Sequence, residues 1–315
     1  TEELWRADTP GELPFALGWL GEERLCAVSA GRALFLTPEG GLEAEQGFGP
    51  LPAHRCSFGE GFAVAELADG EGRCTLVSLS AEGERLGRLE LDRTPLDLSL
   101  RGERALLLLH GNGEDHTCFQ KQFAAFSERF RVIAMDSRGH GESSAGSGVT
   151  IAKIAEDAAA VLGALGIERA SVVGFSDGAN AALGLALSHP GMVEKLALAG
   201  ANLFPAGVKP RFQLPAELEY RALRLCGRFS ERLRRRAEIV GLMVEEPRYT
   251  PGMLGAITVP TLVLAGDRDL IRPAHTALIA ASLPHAKLVT IPRSDHWIFD
   301  RQPVWVNREI LAFLG

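Results

Sequence analysis

The chain has 315 residues, a formal net charge of −7, 46% hydrophobic residues and 23% charged residues. This is the composition of an ordinary globular protein, long enough for one large domain plus a small one, with no basic surplus to attract nucleic acid. No apolar run approaches the roughly 20 residues of a membrane span, and TEELWRADTPGELP at the start lacks the basic opening and apolar stretch of a signal peptide. The scattered cysteines Cys26, Cys56, Cys74, Cys118 and Cys226 have no metal-ligand spacing. Reduced thiols, a cytoplasmic protein and no bound metal are expected from them.

Residues 1–83 are strand-like and punctuated by glycine. RLCAVSAGRALFLTPEG and GFAVAELADGEGRCTLVSLSAEG each join two short apolar runs through a glycine-containing turn, so each reads as a β-hairpin. The copies lie about 40 residues apart, the length of one propeller blade, but two cannot close a propeller. A small antiparallel β domain is expected over 1–83, followed by a second unit over 84–315.

In the second unit GRLELD and LDLSL read as two leading strands, and RALLLLHG as a strand buried on both faces. A helix is expected near 117–129, then strand RVIAMD running into a glycine-rich loop. Ile151, Ile154, Ala155, Ala158, Val161, Leu162 and Leu165 recur at helical spacing. Strand ASVVGF, helix DGANAALGLALSH and strand KLALAGA follow. After a long insertion come strand TLVLAGD, helix AHTALIAASL, strand KLVTIP and helix VNREILAFL. Alternating strands and helices predict a mostly parallel, doubly wound α/β sheet.

One serine in this frame carries chemistry. In VVGFSDGANAAL, Ser176 follows an apolar strand and opens a helix of small residues, the setting of a nucleophile elbow. Gly174 and Gly178 remove side chains that would collide where strand and helix meet. A hydroxyl needs a base, and the base an orienting acid. His296, in IPRSDHW beyond the last strand, is the base expected at that sheet edge. His110 and His140 are read as loop-packing residues, and His189, His275 and His285 as surface residues. In TLVLAGDRD, Asp269 is favoured as the acid and Asp267 as a turn former. Oxyanion donors are expected from the backbone N–H of Asp177 and of Asn112, the latter in the loop LLLLHGNGED.

HGNGED, DSRGHGES, GFSDGAN, GDRD and SDHW, in this order, resemble the α/β-hydrolase superfamily over residues 84–315. The resemblance implies a Ser176–His296–Asp269 triad, an oxyanion hole from the Asn112 and Asp177 amides, and ester hydrolysis through an acyl-enzyme with no cofactor. The expected partner is a small-molecule ester, with neither nucleic acid nor membrane involved. Serine at the elbow argues against haloalkane dehalogenases and epoxide hydrolases, which carry aspartate there. Peptide cleavage at a free N-terminus, carbon–carbon bond hydrolysis and a non-catalytic binding role are the alternatives.

The insertion, roughly 203–256, stands where such enzymes carry a cap, and two or three helices are expected in it. Phe204, Phe212, Leu214, Leu242 and Met243 are candidate pocket lining, with Phe204 and Met243 set beside Asp177 as substrate-binding residues. The run Arg232, Arg234, Arg235, Arg236 reads as a solvated helix face. GFSDG resembles the elbow of valacyclovir-hydrolase-like enzymes, in which the acid after the serine is associated with the substrate's amino group. Asp177 is otherwise a favourable charge in the first turn of a helix.

Overall fold

The structure, a computed structural model, describes residues 16–19, 24–29, 31–37, 42–48, 53–59, 62–68, 74–80, 82–91, 96–99, 104–143 and 148–315. The stretch read for a signal peptide lies outside them. Two antiparallel meanders come first in the chain. Strands β1 (Ala16–Trp19), β2 (Leu25–Val28), β3 (Arg32–Leu36) and β4 (Leu42–Gly47) form one four-stranded sheet. Strands β5 (Ala53–Gly59), β6 (Phe62–Ala68), β7 (Cys74–Ser80) and β8 (Arg85–Leu91) form the other. The two hairpins read from the sequence are β2–β3 and β6–β7, and each gains a flanking strand on both sides. Cys26, Val28 and Phe35 of the first sheet share one apolar cluster with Ala63, Leu67, Val77 and Leu79 of the second.

GRLELD does not lead the large sheet. As β8 it pairs with β7 in the register Cys74↔Leu91, Leu76↔Leu89 and Ser78↔Gly87. Its alternating apolar and charged residues suit the edge of a half-exposed sheet better than a sheet covered on both faces. Ser78 in the neighbouring strand donates from Oγ to the carbonyl of Ala164 at 2.8 Å, tying this sheet to the end of a helix in the second unit.

The large sheet has seven strands: β9 (Leu96–Ser99), β10 (Ala105–Leu109), β11 (Arg131–Met135), β12 (Ala170–Phe175), β13 (Val193–Ala199), β14 (Thr261–Gly266) and β15 (Ala286–Ile291). Their spatial order is β15-β14-β13-β12-β10-β11-β9, with β9 antiparallel and the other six parallel. This is the mostly parallel sheet expected from the alternation of strands and helices, in the α/β-hydrolase arrangement that the resemblance implies.

Because successive side chains point to opposite faces, the apolar runs of β10, β11 and β12 feed two cores. Leu107, Leu109, Ile133 and Val172 pack with α2 (Ile151–Ala164) and α3 (Asp177–Ser188) on one face. Leu106, Leu108, Val132 and Val173 pack on the other with Phe126 of α1 (Gln120–Ser127), and with Val306 and Ile310 near the C-terminus. Helix α2 starts where Thr150 caps the N–H of Lys153 at 3.2 Å.

Between β13 and β14 the insertion forms α4 (Pro210–Cys226), α5 (Glu231–Glu245) and the single turn α6 (Pro251–Leu254). Helices α4 and α5 meet through Leu223, Ala237 and Val240. Arg235 and Arg236 lie on the exposed side, paired with Glu231 at 2.7 Å and Glu219 at 2.6 Å, so the arginine run is a solvated face. After β14 come α7 (Pro273–Ser282) and, beyond β15, α8 (Ile298–Arg301) and α9 (Pro303–Leu314). Among the described residues no helix is long and apolar enough to cross a membrane.

Candidate active site

Strand β12 turns into α3 at Ser176, whose backbone sits at φ 53° and ψ −117°. A non-glycine residue in that region costs on the order of 1–3 kcal/mol and persists only where its surroundings enforce it. The surroundings here are the N–H of Ser176 on the Ala199 carbonyl at 2.8 Å, and the N–H groups of Ala179 and Asn180 on the Ser176 carbonyl. The two glycines supply the closeness. A Cβ on Gly174 would lie 2.5 Å from the Ala179 backbone, and one on Gly178 would lie 2.0 Å from the carbonyl oxygen of Leu109 in β10. The start of α3 therefore rests directly on the end of β10. Gly178→Ala should lower stability by about 3 kcal/mol or more, because rigid backbone cannot yield to the added methyl. A thermal melt within a degree of wild type would show that the elbow can relax.

The exposed hydroxyl meets the predicted base. Ser176 Oγ lies 3.0 Å from His296 Nε2, and His296 Nδ1 lies 2.7 Å from Asp269 Oδ1. His296 enters from the loop after β15, and Gly200 makes room for it: a Cβ there would stand 2.5 Å from the ring's Cε1. Asp269 also accepts the N–H groups of Ile271 at 2.9 Å and Gly266 at 3.4 Å. Burial alone would push its carboxyl up, but the hydrogen bond and charge of His296 and these two amides hold it below the usual carboxylate range. Asp267 is spent elsewhere. It accepts the N–H groups of Arg293 and Ser294 at 2.9 and 3.0 Å, bracing the loop that carries His296.

Asn112 and Asp177 are joined directly beside the nucleophile. Asp177 is the first residue of α3, so its N–H has no acceptor within the helix. The residue is 6% exposed, and its carboxylate accepts from Asn112 Nδ2 at 2.9 Å and Asn180 Nδ2 at 3.3 Å. Burial pushes the Asp177 carboxyl up, and Asn112, His140, Asn180 and His296 offset part of that push. The amides continue outward. Asn180 Nδ2 also donates to Asn202 Oδ1 at 3.0 Å, and Asn112 Nδ2 also donates to the Ile239 carbonyl of α5 at 2.7 Å. A buried polar line thus ties the loop after β10, the elbow and the cap together.

A cavity of about 140 Å³ opens over Ser176 and His296, roofed by Phe212, Gln213 and Met243 of the cap. Met243 and Phe212 are placed as the sequence suggests. Phe204 is not: its ring stands edge-on to His275 at 4.6 Å and packs against the core. Leu242 is fully buried in that core and Leu214 points to solvent. His275, read as a surface residue, is buried and accepts the N–H of Leu203 at 2.9 Å. A position in the first turn of a helix looks solvated in sequence, but the insertion folds back over this one.

The cavity wall also holds polar residues that were not singled out from sequence, Glu114, Asn202 and Gln213 among them. Glu114 stands in the quoted HGNGED, and only its distance from the elbow in the chain hides its place. His110 and His140 do pack loops. The buried His110 ring accepts the N–H of Ser137 at 2.8 Å, and burial, helped by His140, pushes its pKa down to about 4. Asp115, His116 and Asp136 gather ligand-type atoms within 4.8 Å of one another. They are already tied together: Asp136 Oδ1 takes both the N–H and the ring Nδ1 of His116 at 2.8 Å.

A mostly parallel sheet that presents a serine at a strand–helix elbow, facing histidine and aspartate beneath a helical cap, defines a hydrolase. Residues 106–309 match the Alpha/beta hydrolase family, and the chain belongs to it. It is similar to the sn-1-specific diacylglycerol lipase ABHD11 of Mus musculus, 25% identical over 73% of this chain and 89% of that one. It is also similar to the serine hydrolase BPHL of Mus musculus, 26% identical over 68% of this chain and 80% of that one. Among solved structures, a hydrolase from Pseudomonas aeruginosa PA01 superposes with a TM-score of 0.60, at 26% identity over 80% of this chain and 98% of that one.

Proposed function

We propose that this hydrolase cleaves carboxylic esters of small or medium size through an acyl-enzyme. Ser176 is the nucleophile, His296 the general base and Asp269 the acid that orients it. The carrying observation is the hydrogen-bonded line Ser176–His296–Asp269 opening into a cavity. His296 Nε2 takes the hydroxyl proton as Oγ forms its bond to the ester carbonyl carbon. The resulting oxyanion lies toward the N–H groups of Asn112 and Asp177 at the start of α3, where the helix dipole favours negative charge. His296 then gives its proton to the departing alcohol. Water repeats the sequence on the acyl group and regenerates Ser176.

The confined cavity under the cap supports small or medium substrates, and the similarity to a diacylglycerol lipase supports esters. A binding protein has no need of the whole line of three. Among the described residues the thiols of Cys26, Cys118 and Cys226 are reduced, which supports a reducing, cytoplasmic setting. A fluorophosphonate probe should label Ser176 alone. An active protein left unlabelled there would transfer the role to another nucleophile.

One observation favours a narrower reading, the hydrolysis of amino-acid esters: Asp177 is among the residues that line the cavity. Each of its oxygens holds one amide donor and keeps a lone pair for a substrate ammonium. Amino-acid esters should then be turned over faster than matched simple esters, and Asp177→Ala should erase the difference in kcat/KM. A preference that survives the substitution would leave the carboxylate only the task of holding Asn112 and Asn180.

A further inference from the structure

The cavity over Ser176 does not end at the cap. Glu114, Phe175 and Trp297 line it and also line a groove of about 510 Å³ that continues toward α1 and α8. An ester held at Ser176 has two arms. The cap encloses one side of the nucleophile, and the open way for the other arm leads past Glu114.

The polar groups along this path are unequal in kind. In the cavity each side-chain amide already has a protein acceptor. Asn112 Nδ2 serves Asp177 and Ile239, Gln213 Nε2 serves the Met243 carbonyl at 3.2 Å, and Asn202 Nδ2 serves the Phe204 carbonyl at 3.2 Å. No lysine or arginine lines it. In the groove both cations are engaged by acids, Lys121 with Asp300 at 2.5 Å and Arg301 with Asp295 at 3.7 Å. Glu114 has no such partner among the described residues.

Glu114 is held in place without being used up. Its Oε2 accepts the N–H of Gly111 at 3.2 Å, and its own N–H returns to the Gly111 carbonyl at 3.3 Å. Among the described residues no hydrogen bond reaches the second carboxyl oxygen, and Glu114 lines the cavity. Burial pushes the Glu114 carboxyl up, the Gly111 amide and His296 pull it down, and Asp115 pushes it up again. A positive charge close by would complete its surroundings, while a carboxylate would meet two acids and no free cation.

We propose that Glu114 determines specificity by receiving an ammonium or other cationic group carried on the ester arm that leaves Ser176 for the groove. Carboxylate-bearing esters are disfavoured by the same feature. The inference rests on the ester reading above and adds to it the charge of the substrate and the residue that reads it.

The test uses matched esters of cationic, neutral and anionic charge and near-equal shape. One series carries the charge on the alcohol (a choline ester against its 3,3-dimethylbutyl counterpart) and a second carries it on the acyl group. In one of the two series, wild type should favour the cationic over the neutral ester by about tenfold in kcat/KM, the scale of one charge–charge contact at a partly buried site. The anionic ester should be slowest. Glu114→Gln should bring the cationic-to-neutral ratio close to one, chiefly through KM, and Glu114→Lys should turn the preference toward the anionic ester. A loss that was merely structural would lower all three esters alike and leave the ratio standing. Absence of a cationic preference in both series, or a ratio unchanged in Glu114→Gln, overturns the proposal. Absence of turnover of every ester together with no fluorophosphonate labelling of Ser176 would instead overturn the ester reading.

Discussion

Ser176→Ala should lower ester turnover by about 10⁴-fold or more while the protein stays folded, since removing the nucleophile leaves only binding and the oxyanion donors. The fold survives for a local reason. The elbow is held by backbone bonds, from the Ser176 N–H to Ala199 and from Ala179 and Asn180 to the Ser176 carbonyl, and alanine keeps all of them. The side chain contributes one hydrogen bond, to His296. Alanine also inherits the backbone at φ 53°, so the strain is neither relieved nor increased. Rates on a short p-nitrophenyl ester, read beside circular dichroism and a thermal melt, check both halves. Turnover near wild type in a folded variant would remove Ser176 from the chemistry. A collapsed melt would show that the hydroxyl itself holds the elbow.

The parallel sheet and the gathering of Ser176, Asp269 and His296 were legible because both are written locally. Apolar runs such as ALLLL and ASVVGF mark strands buried on both faces. Each of the three residues also stands just after a strand, where a parallel sheet collects its loops at one edge. What was not legible depends on partners distant in the chain. GRLELD reads equally well as the first strand of one sheet or the last of another, because an alternating run fixes a face and not a neighbour. Phe204 and Met243 are both apolar insertion residues, and only the way the insertion folds back sends the first against His275 and the second over the nucleophile. The partners of the Asp177 carboxylate, Asn112 and Asn180, lie 65 and 3 positions away. The acid after the serine could be noticed in the sequence, but not the amides that hold it.

Asp269→Asn should leave the site's shape nearly intact and still reduce kcat by about 10⁴-fold, the scale of a histidine held in the wrong tautomer. With Ser176 to be deprotonated at Nε2, the proton of His296 must sit on Nδ1 and point at Asp269 Oδ1, 2.7 Å away. An asparagine must satisfy His296 and the N–H groups of Ile271 and Gly266 with one oxygen and an NH₂ group. Wherever the NH₂ points, it meets a donor or forces Nδ1 to become an acceptor, which moves the ring proton to Nε2 and leaves Ser176 without a base. The same substitution has a signature in stability. Since the folded-state pKa of Asp269 is depressed, its contribution is present above the unfolded value of about 3.9 and is lost as pH falls through the lower folded value. Wild type should therefore melt higher than Asp269→Asn at neutral pH, and the gap should close below about pH 4, because the asparagine has no proton to bind. Melting curves of the two proteins from neutral to acid pH measure that difference directly. Curves that stay parallel would mean that Asp269 is not the ionised partner of His296.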